Sequence, residues 1–105
     1  MGISLIPVAR AGELAPGDRK MVDLNGRSVV VVNVEGQFFA FARECPHEGA
    51  DLERGQLVGG KIRCDNHSYF FDLHTGECIS PKEGPRLTVL PVEERREEVC
   101  IRIEW

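Results

Sequence analysis

The stretch that decides the fold is Cys45-Pro46-His47-Glu48-Gly49-Ala50-Asp51-Leu52, followed further on by Lys61-Ile62-Arg63-Cys64-Asp65-Asn66-His67-Ser68-Tyr69-Phe70-Phe71. Each half offers one thiol and one imidazole on a short segment. Together they make a Cys₂His₂ set from Cys45, His47, Cys64 and His67. A single C-x-H or C-x-x-H is weak evidence for a metal. The pair, at this separation and with each half following a predicted strand, is strong. Zinc takes Cys₂His₂ sets tetrahedrally, but its usual spacing places the two cysteines together and the two histidines together. Here each half is mixed. Mixed halves suit a two-iron cluster in which one iron takes both thiolates and the other both imidazoles, as in centres where two His replace two Cys on one iron.

Outward from this stretch the pattern is all-β. Ile3 to Val8 is a first apolar run, and Ala15-Pro16-Gly17-Asp18 is a turn cluster. Met21–Leu24 and Arg27–Val34 flank Asn25-Gly26, the strongest short hairpin signal. Glu35-Gly36 turns the chain into 37–42. Short strand candidates come next at 61–63, 69–71, 77–79 and 87–90. The last strand spans Val99 to Trp105, with Val99, Ile101, Ile103 and Trp105 alternating against Cys100, Arg102 and Glu104. Glu93 to Glu98, which mixes both charge signs, reads as a solvated turn. Nothing reads as a long amphipathic helix.

With 105 residues the chain is expected to be a single domain, 1–105. Residues 43–85 carry all three histidines and three of the four cysteines, and read as a cluster-binding subdomain inserted into a strand framework. The formal net charge of −4 argues against nucleic acid or an anionic membrane as partner. No apolar run reaches membrane-spanning length. The N-terminus has neither a basic leader nor a small-residue cleavage site, so a cytoplasmic protein is expected. Four cysteines in such a setting point to metal chemistry before disulfides.

The chain resembles the Rieske-type ferredoxins, and by more than four ligands. Residues 45–52 look like the family's first cluster loop. Gly55, Leu57 and Gly59-Gly60 match the connecting hairpin. Phe71-Asp72-Leu73 and Thr75-Gly76-Glu77 match the family's segment after the second loop, and Pro81 through Pro85 resembles the proline-bearing loop that covers the cluster from a third side. The resemblance implies the Rieske fold, an antiparallel sandwich- or barrel-like framework with the inserted subdomain. It implies one [2Fe–2S] cluster per chain on Cys45, His47, Cys64 and His67, and an electron carrier rather than an enzyme. The implied partners are a flavin-containing reductase and a terminal oxygenase, and the implied state is a monomer.

Departures from the family are informative. Asp65-Asn66 and Ser68 stand where ferredoxins commonly have Pro-Trp and Gly. The respiratory members carry an extra cysteine in each loop, forming a disulfide; Ala50 and Asn66 stand at those places, so that bond is absent here. High-potential members use a Ser hydroxyl two residues after the second histidine and a Tyr hydroxyl four after. Tyr69 and Phe71 occupy those positions, and Asp65 adds negative charge, all of which imply a low reduction potential.

Two other functions stay open at this point: the small Rieske-like subunit of an assimilatory nitrite reductase, and a structural zinc module. An oxygenase in its own right is excluded by counting, because its mononuclear iron needs two histidines and a carboxylate and only His74 remains. His74 itself reads as a surface residue. Cys78 and Cys100 read as small buried hydrophobes. Phe70 and Phe71, adjacent on a strand, must face opposite ways, so at least one belongs to the core.

Overall fold

The computed structural model describes residues 2–46, 49–64 and 69–104. Among the described residues, eleven strands form three antiparallel sheets: β1 (Ile3–Arg10), β2 (Arg19–Leu24), β3 (Arg27–Val34), β4 (Gln37–Ala42), β5 (Gln56–Val58), β6 (Lys61–Arg63), β7 (Phe70–Asp72), β8 (Cys78–Ser80), β9 (Val89–Leu90), β10 (Val92–Arg95) and β11 (Glu98–Glu104). The sheet orders are β1-β11-β10, β2-β3-β4-β9 and β5-β6-β7-β8. Helical structure among the described residues is confined to two 3-10 turns, at Ala11–Glu13 and Leu52–Arg54.

Strand β3 is the centre of the molecule, and its sequence says why. Val29, Val30, Val31 and Val32 are all fully buried. A strand with alternating polarity has one wet face, whereas an unbroken valine run is the mark of a strand covered on both. Val29 and Val31 pack with Ala40 of β4 and with Val99 and Ile101 of β11. Val30 and Val32 point the other way, onto Phe39, Phe41, Leu52, Ile62, Phe71, Cys45 and Cys64. The register enforces this division. Val30 and Val32 stand opposite Phe41 and Phe39, while Val31 stands opposite Ala40, so large side chains fill one face and a small one the other. The second sheet is therefore a middle layer, with β1-β11-β10 on one side and the segment bearing the two cysteines on the other.

Three hairpins have two-residue turns with both residues at positive φ: Asn25-Gly26, Glu35-Gly36 and Arg96-Glu97. Such turns match the right-handed twist of the flanking strands. The first two carry glycine and are legible from sequence. The third carries none, and here the structure corrects the reading of Glu93 to Glu98 as a turn. Glu93 and Glu94 lie in β10, Glu98 begins β11, and only Arg96-Glu97 turns. Strand β11 also departs from a simple two-sided pattern. Cys100 is buried like Val99 and Ile101, because its edge partners Pro7 and Glu93 flank it from β1 and β10. Trp105 lies outside the described residues.

The candidate cluster loops

The two cysteine-bearing loops are built alike. Loop one leaves β4 at Ala42 and returns at Asp51. Its base is a short ladder: Leu52 donates its N–H to the Arg43 carbonyl at 2.8 Å, Glu44 bridges Asp51, and the Cys45 N–H donates to the Ala50 carbonyl at 2.8 Å. Loop two is the tip of the β6–β7 hairpin, where the Cys64 N–H donates to the Tyr69 carbonyl at 2.7 Å. In both cases a cysteine is the first residue beyond the last rung, and it closes the loop onto the residue five places later. Gly49 completes loop one, donating to the Cys45 carbonyl at 2.8 Å with φ +73, a left-handed conformation that favours glycine.

This construction carries both cysteine side chains inward. Cys45 is 2% exposed and Cys64 1%, and both belong to the apolar cluster of Phe71, Ile62 and Leu52. Two buried thiols from two matched loops, converging on one dry core, fit a group that takes two thiolates on one iron. His47 and His67 fall by number within the two closed intervals and lie outside the described residues, as do Glu48, Asp65, Asn66 and Ser68. Phe71 is fully buried and Phe70 half-buried with the Arg63 guanidinium over its ring at 5.6 Å, so the strand divides them as expected.

The remaining thiols have other employment. Cys78 donates its thiol to the Pro81 carbonyl at 3.1 Å, and its Sγ lies 2.6 Å from where a side chain on Gly84 would begin. It therefore anchors the 81–85 loop. Cys100 sits on β11, in a different sheet from Cys78, and both are free thiols. Burial pushes the Cys100 thiol above its ordinary pKa, with Glu98 adding to the rise. His74 is exposed as expected, but it is held. Its backbone N–H donates to Asp72 Oδ1 at 2.7 Å, its Nδ1 lies 3.3 Å from the same oxygen, and its ring meets Phe39 edge-on at 4.8 Å.

Sequence reasoning missed three residues that tie loop one in place. Arg43 and Asp51 form a two-pronged ion pair across the base of the loop, Nε to Oδ1 and an Nη to Oδ2, each at 2.9 Å. The Arg43 guanidinium holds the Asp51 carboxyl below the usual carboxylate range, and Asp51 raises Arg43 in turn. From β2, Arg19 reaches the carbonyls of Leu52 and Glu53. No local signal marks Arg19, whose partners lie more than thirty residues away; Asp51 before a 3-10 turn was the readable clue, since it caps that turn by accepting from the Glu53 N–H at 3.0 Å.

Residues 4–92 match the Rieske [2Fe-2S] domain. The chain belongs to that family. Apoptosis-inducing factor 3 of Mus musculus is 33% identical over 90% of this chain, yet the chain spans only 16% of that protein's length. The biphenyl dioxygenase ferredoxin subunit of Pseudomonas sp. (strain KKS102) is 32% identical over 85% of this chain and 83% of its own. Among solved structures, a chain in the complex of reduced oxygenase and oxidized ferredoxin in carbazole 1,9a-dioxygenase superposes with a TM-score of 0.82 at 31% identity, covering 91% of this chain and 99% of that one. The cofactor of this Rieske domain is a [2Fe–2S] cluster. Among the described residues, no helix is long and apolar enough to cross a membrane.

Proposed function

We propose that this Rieske chain is a one-electron carrier that receives electrons from a flavin-containing reductase and delivers them to a terminal oxygenase. Cys45, His47, Cys64 and His67 hold the cluster, one per chain, in a cluster-binding subdomain of about 43–85 within a single domain, 1–105. The protein acts as a monomer in the cytoplasm. The observation that carries the reading is the matched pair of closed loops that sink Cys45 and Cys64 into one core. The 32% identity to a dioxygenase ferredoxin subunit, over 85% of this chain and 83% of that one, supports the choice of partners.

When bound, the cluster supplies a site that accepts and releases one electron. The chain's own residues set its surroundings. Cys45 and Cys64 would hold the cluster, the apolar side chains of Leu52, Ile62 and Phe71 around them would exclude water from the thiolate side, and the residues at 69 and 71 would set which hydroxyl lies near it. With Phe71 in place of a hydroxyl-bearing residue, the reading places the potential toward the negative end of the Rieske range, which runs from roughly −150 to +300 mV. A low potential suits a carrier fed by a flavin, and not one that oxidises a quinol.

The test begins with protein purified from iron-replete cells. Two irons and two acid-labile sulfides per chain are expected, and their loss in Cys45→Ala, His47→Ala, Cys64→Ala and His67→Ala but not in His74→Ala. Turnover is then measured with a flavin reductase and a terminal oxygenase from a biphenyl or naphthalene dioxygenase system, with product formation expected only when this chain is added. Zinc without sulfide would overturn the cofactor site. A loaded cluster that the reductase reduces but no such oxygenase reoxidises would overturn the choice of partner.

A further inference from the structure

Loop one is not pinned on every side by packing. Its outer flank borders an open groove of about 840 Å³, lined by Arg27, Ser28, Arg43, Cys45, Pro46 and Asp51 among others. Dispersion contacts are absent where a wall faces solvent, so on this flank the loop's position depends on directional polar ties. Besides the backbone hydrogen bonds at the foot of the loop, such as Arg43 N–H to the Ser28 carbonyl at 3.1 Å, two guanidiniums supply them, and both converge on the residues where the chain leaves the loop. Arg43, at the foot of the loop, grips both oxygens of Asp51. Arg19, on the framework strand β2, grips the next two carbonyls, of Leu52 and Glu53. Asp51 Oδ1 is shared, since it also accepts the Glu53 N–H. The carboxylate thus joins the foot of the loop to the turn after it, and Arg19 joins that turn to the framework.

We propose that the Arg43–Asp51 pair, backed by Arg19, is a positioning clasp that sets the geometry of the loop carrying Cys45 for the cluster. The proposal rests on Cys45 being a cluster ligand. The two side chains are 37% and 32% exposed, so as an ordinary ion pair they add little to global stability. Their effect is local. A planar fork on a carboxylate fixes direction as well as distance, which a lysine ammonium does not. The framework offers a matched control: Lys20 and Glu13 form an ion pair at 2.8 Å with similar exposure, 37% and 43%, between β2 and the 3-10 turn after β1.

The experiment compares holoprotein of the wild type, Arg43→Gln, Arg43→Lys, Asp51→Asn, the reversed pair (Arg43→Asp with Asp51→Arg) and the control Lys20→Gln. Iron and sulfide content, the rate of bleaching under a fixed excess of iron chelator, the electron paramagnetic resonance spectrum of the reduced cluster, and thermal unfolding of the holoprotein are measured. Arg43→Gln and Asp51→Asn are expected to bleach about tenfold faster, the low end of what orienting partners of metal ligands contribute, with altered spectral line shape. Arg43→Lys should fall between them and the wild type, the reversed pair should recover part of the loss, and Lys20→Gln should match the wild type. The unfolding midpoint of the holoprotein should move no more in Arg43→Gln and Asp51→Asn than in Lys20→Gln. Wild-type bleaching and line shape in Arg43→Gln and Asp51→Asn, or a lowered unfolding midpoint with neither of them changed, would overturn the clasp. Wild-type protein lacking iron and sulfide would instead overturn the ligand assignment beneath it.

Discussion

The framework and the segment that carries the cysteines are both antiparallel β-structure, yet they are held in different ways. Framework strands β1 to β4 and β11 run six to eight residues and are paired nearly throughout, and two-residue turns join β2 to β3 and β3 to β4. Strands β5 to β8 are three residues each, and many of the described residues between 43 and 85 lie outside strands. Long strands make enough cross-strand pairs to define their own register. Three-residue strands do not. Their order comes from the buried faces of Ile62, Phe71 and Leu73 and from closures such as Cys64 to Tyr69, and the neighbouring loop one is held by the polar ties to Asp51 and Glu53. One layer of this molecule thus sets its own register, and the chemistry is built on a layer that depends on contacts distant in sequence.

The sharpest way to break that comparison uses two isoleucines of equal burial. Ile101, in the framework, and Ile62, beside the cysteines, are both fully buried. Truncating either to alanine should cost about 2–5 kcal/mol in chemical denaturation. Only Ile62→Ala should also lower the iron content per chain. If Ile101→Ala loses iron and Ile62→Ala retains it, the two layers are not separable in this way.

Two glycines give the next largest contrast. Gly36, in a framework turn, has φ +93 and open space around it; Gly76, in the second region, has φ +81 and faces the Leu87 carbonyl oxygen so closely that a side chain would collide. Gly36→Ala should cost about 1–2 kcal/mol, the strain of the left-handed conformation. Gly76→Ala should cost at least twice that, because it also displaces the Leu87 backbone, which donates its N–H to the Gly76 carbonyl at 2.8 Å. Equal midpoint shifts for the two would show that the return strand is looser than its hydrogen bond implies.

A gain is expected at the third framework turn. Replacing Arg96-Glu97, at φ +51 and +66, by Asn-Gly should stabilise the β10–β11 hairpin by about 1 kcal/mol. The same exchange should leave the reduction potential unmoved, since the hairpin belongs to the layer away from the cysteines.

Phe71→Tyr sharpens the other side of the comparison. Phe71 is fully buried in the cluster of side chains that contains Cys45 and Cys64. A hydroxyl placed there stabilises the reduced, more negative state, because hydrogen bonds strengthen with acceptor charge. Protein-film voltammetry should record an upward shift of tens of millivolts, about 59 mV being a factor of ten for a one-electron couple. A downward shift would show that exposure and charge outweigh the hydrogen bond.

The smallest effect is none. Mild thiol reductant should leave the melting temperature unchanged, as Cys78 and Cys100 are free thiols in separate sheets. Cys100, protonated and buried, should resist alkylation in the native protein. A drop in melting temperature with reductant would point to a bond between these two, typically worth about 2–5 kcal/mol.

The line between legible and hidden features in the amino-acid sequence is a physical one. The all-β class, the Asn25-Gly26 and Glu35-Gly36 hairpins and the candidate ligands Cys45, His47, Cys64 and His67 were readable, because each rests on residues near one another in the chain. Period-two patterning, turn chemistry and ligand spacing are local facts. The β10–β11 hairpin was not readable, since Arg96-Glu97 adopts its turn without a glycine. The burial of Cys100 depends on flanking strands drawn from both ends of the chain. Only the tertiary structure could decide that the valine run of β3 divides two layers. It alone shows His74 held against Asp72 and Phe39, and Arg19 meeting the turn after loop one. Those outcomes depend on which surfaces meet when residues tens of positions apart are packed together, and neither spacing nor propensity along the chain carries that information.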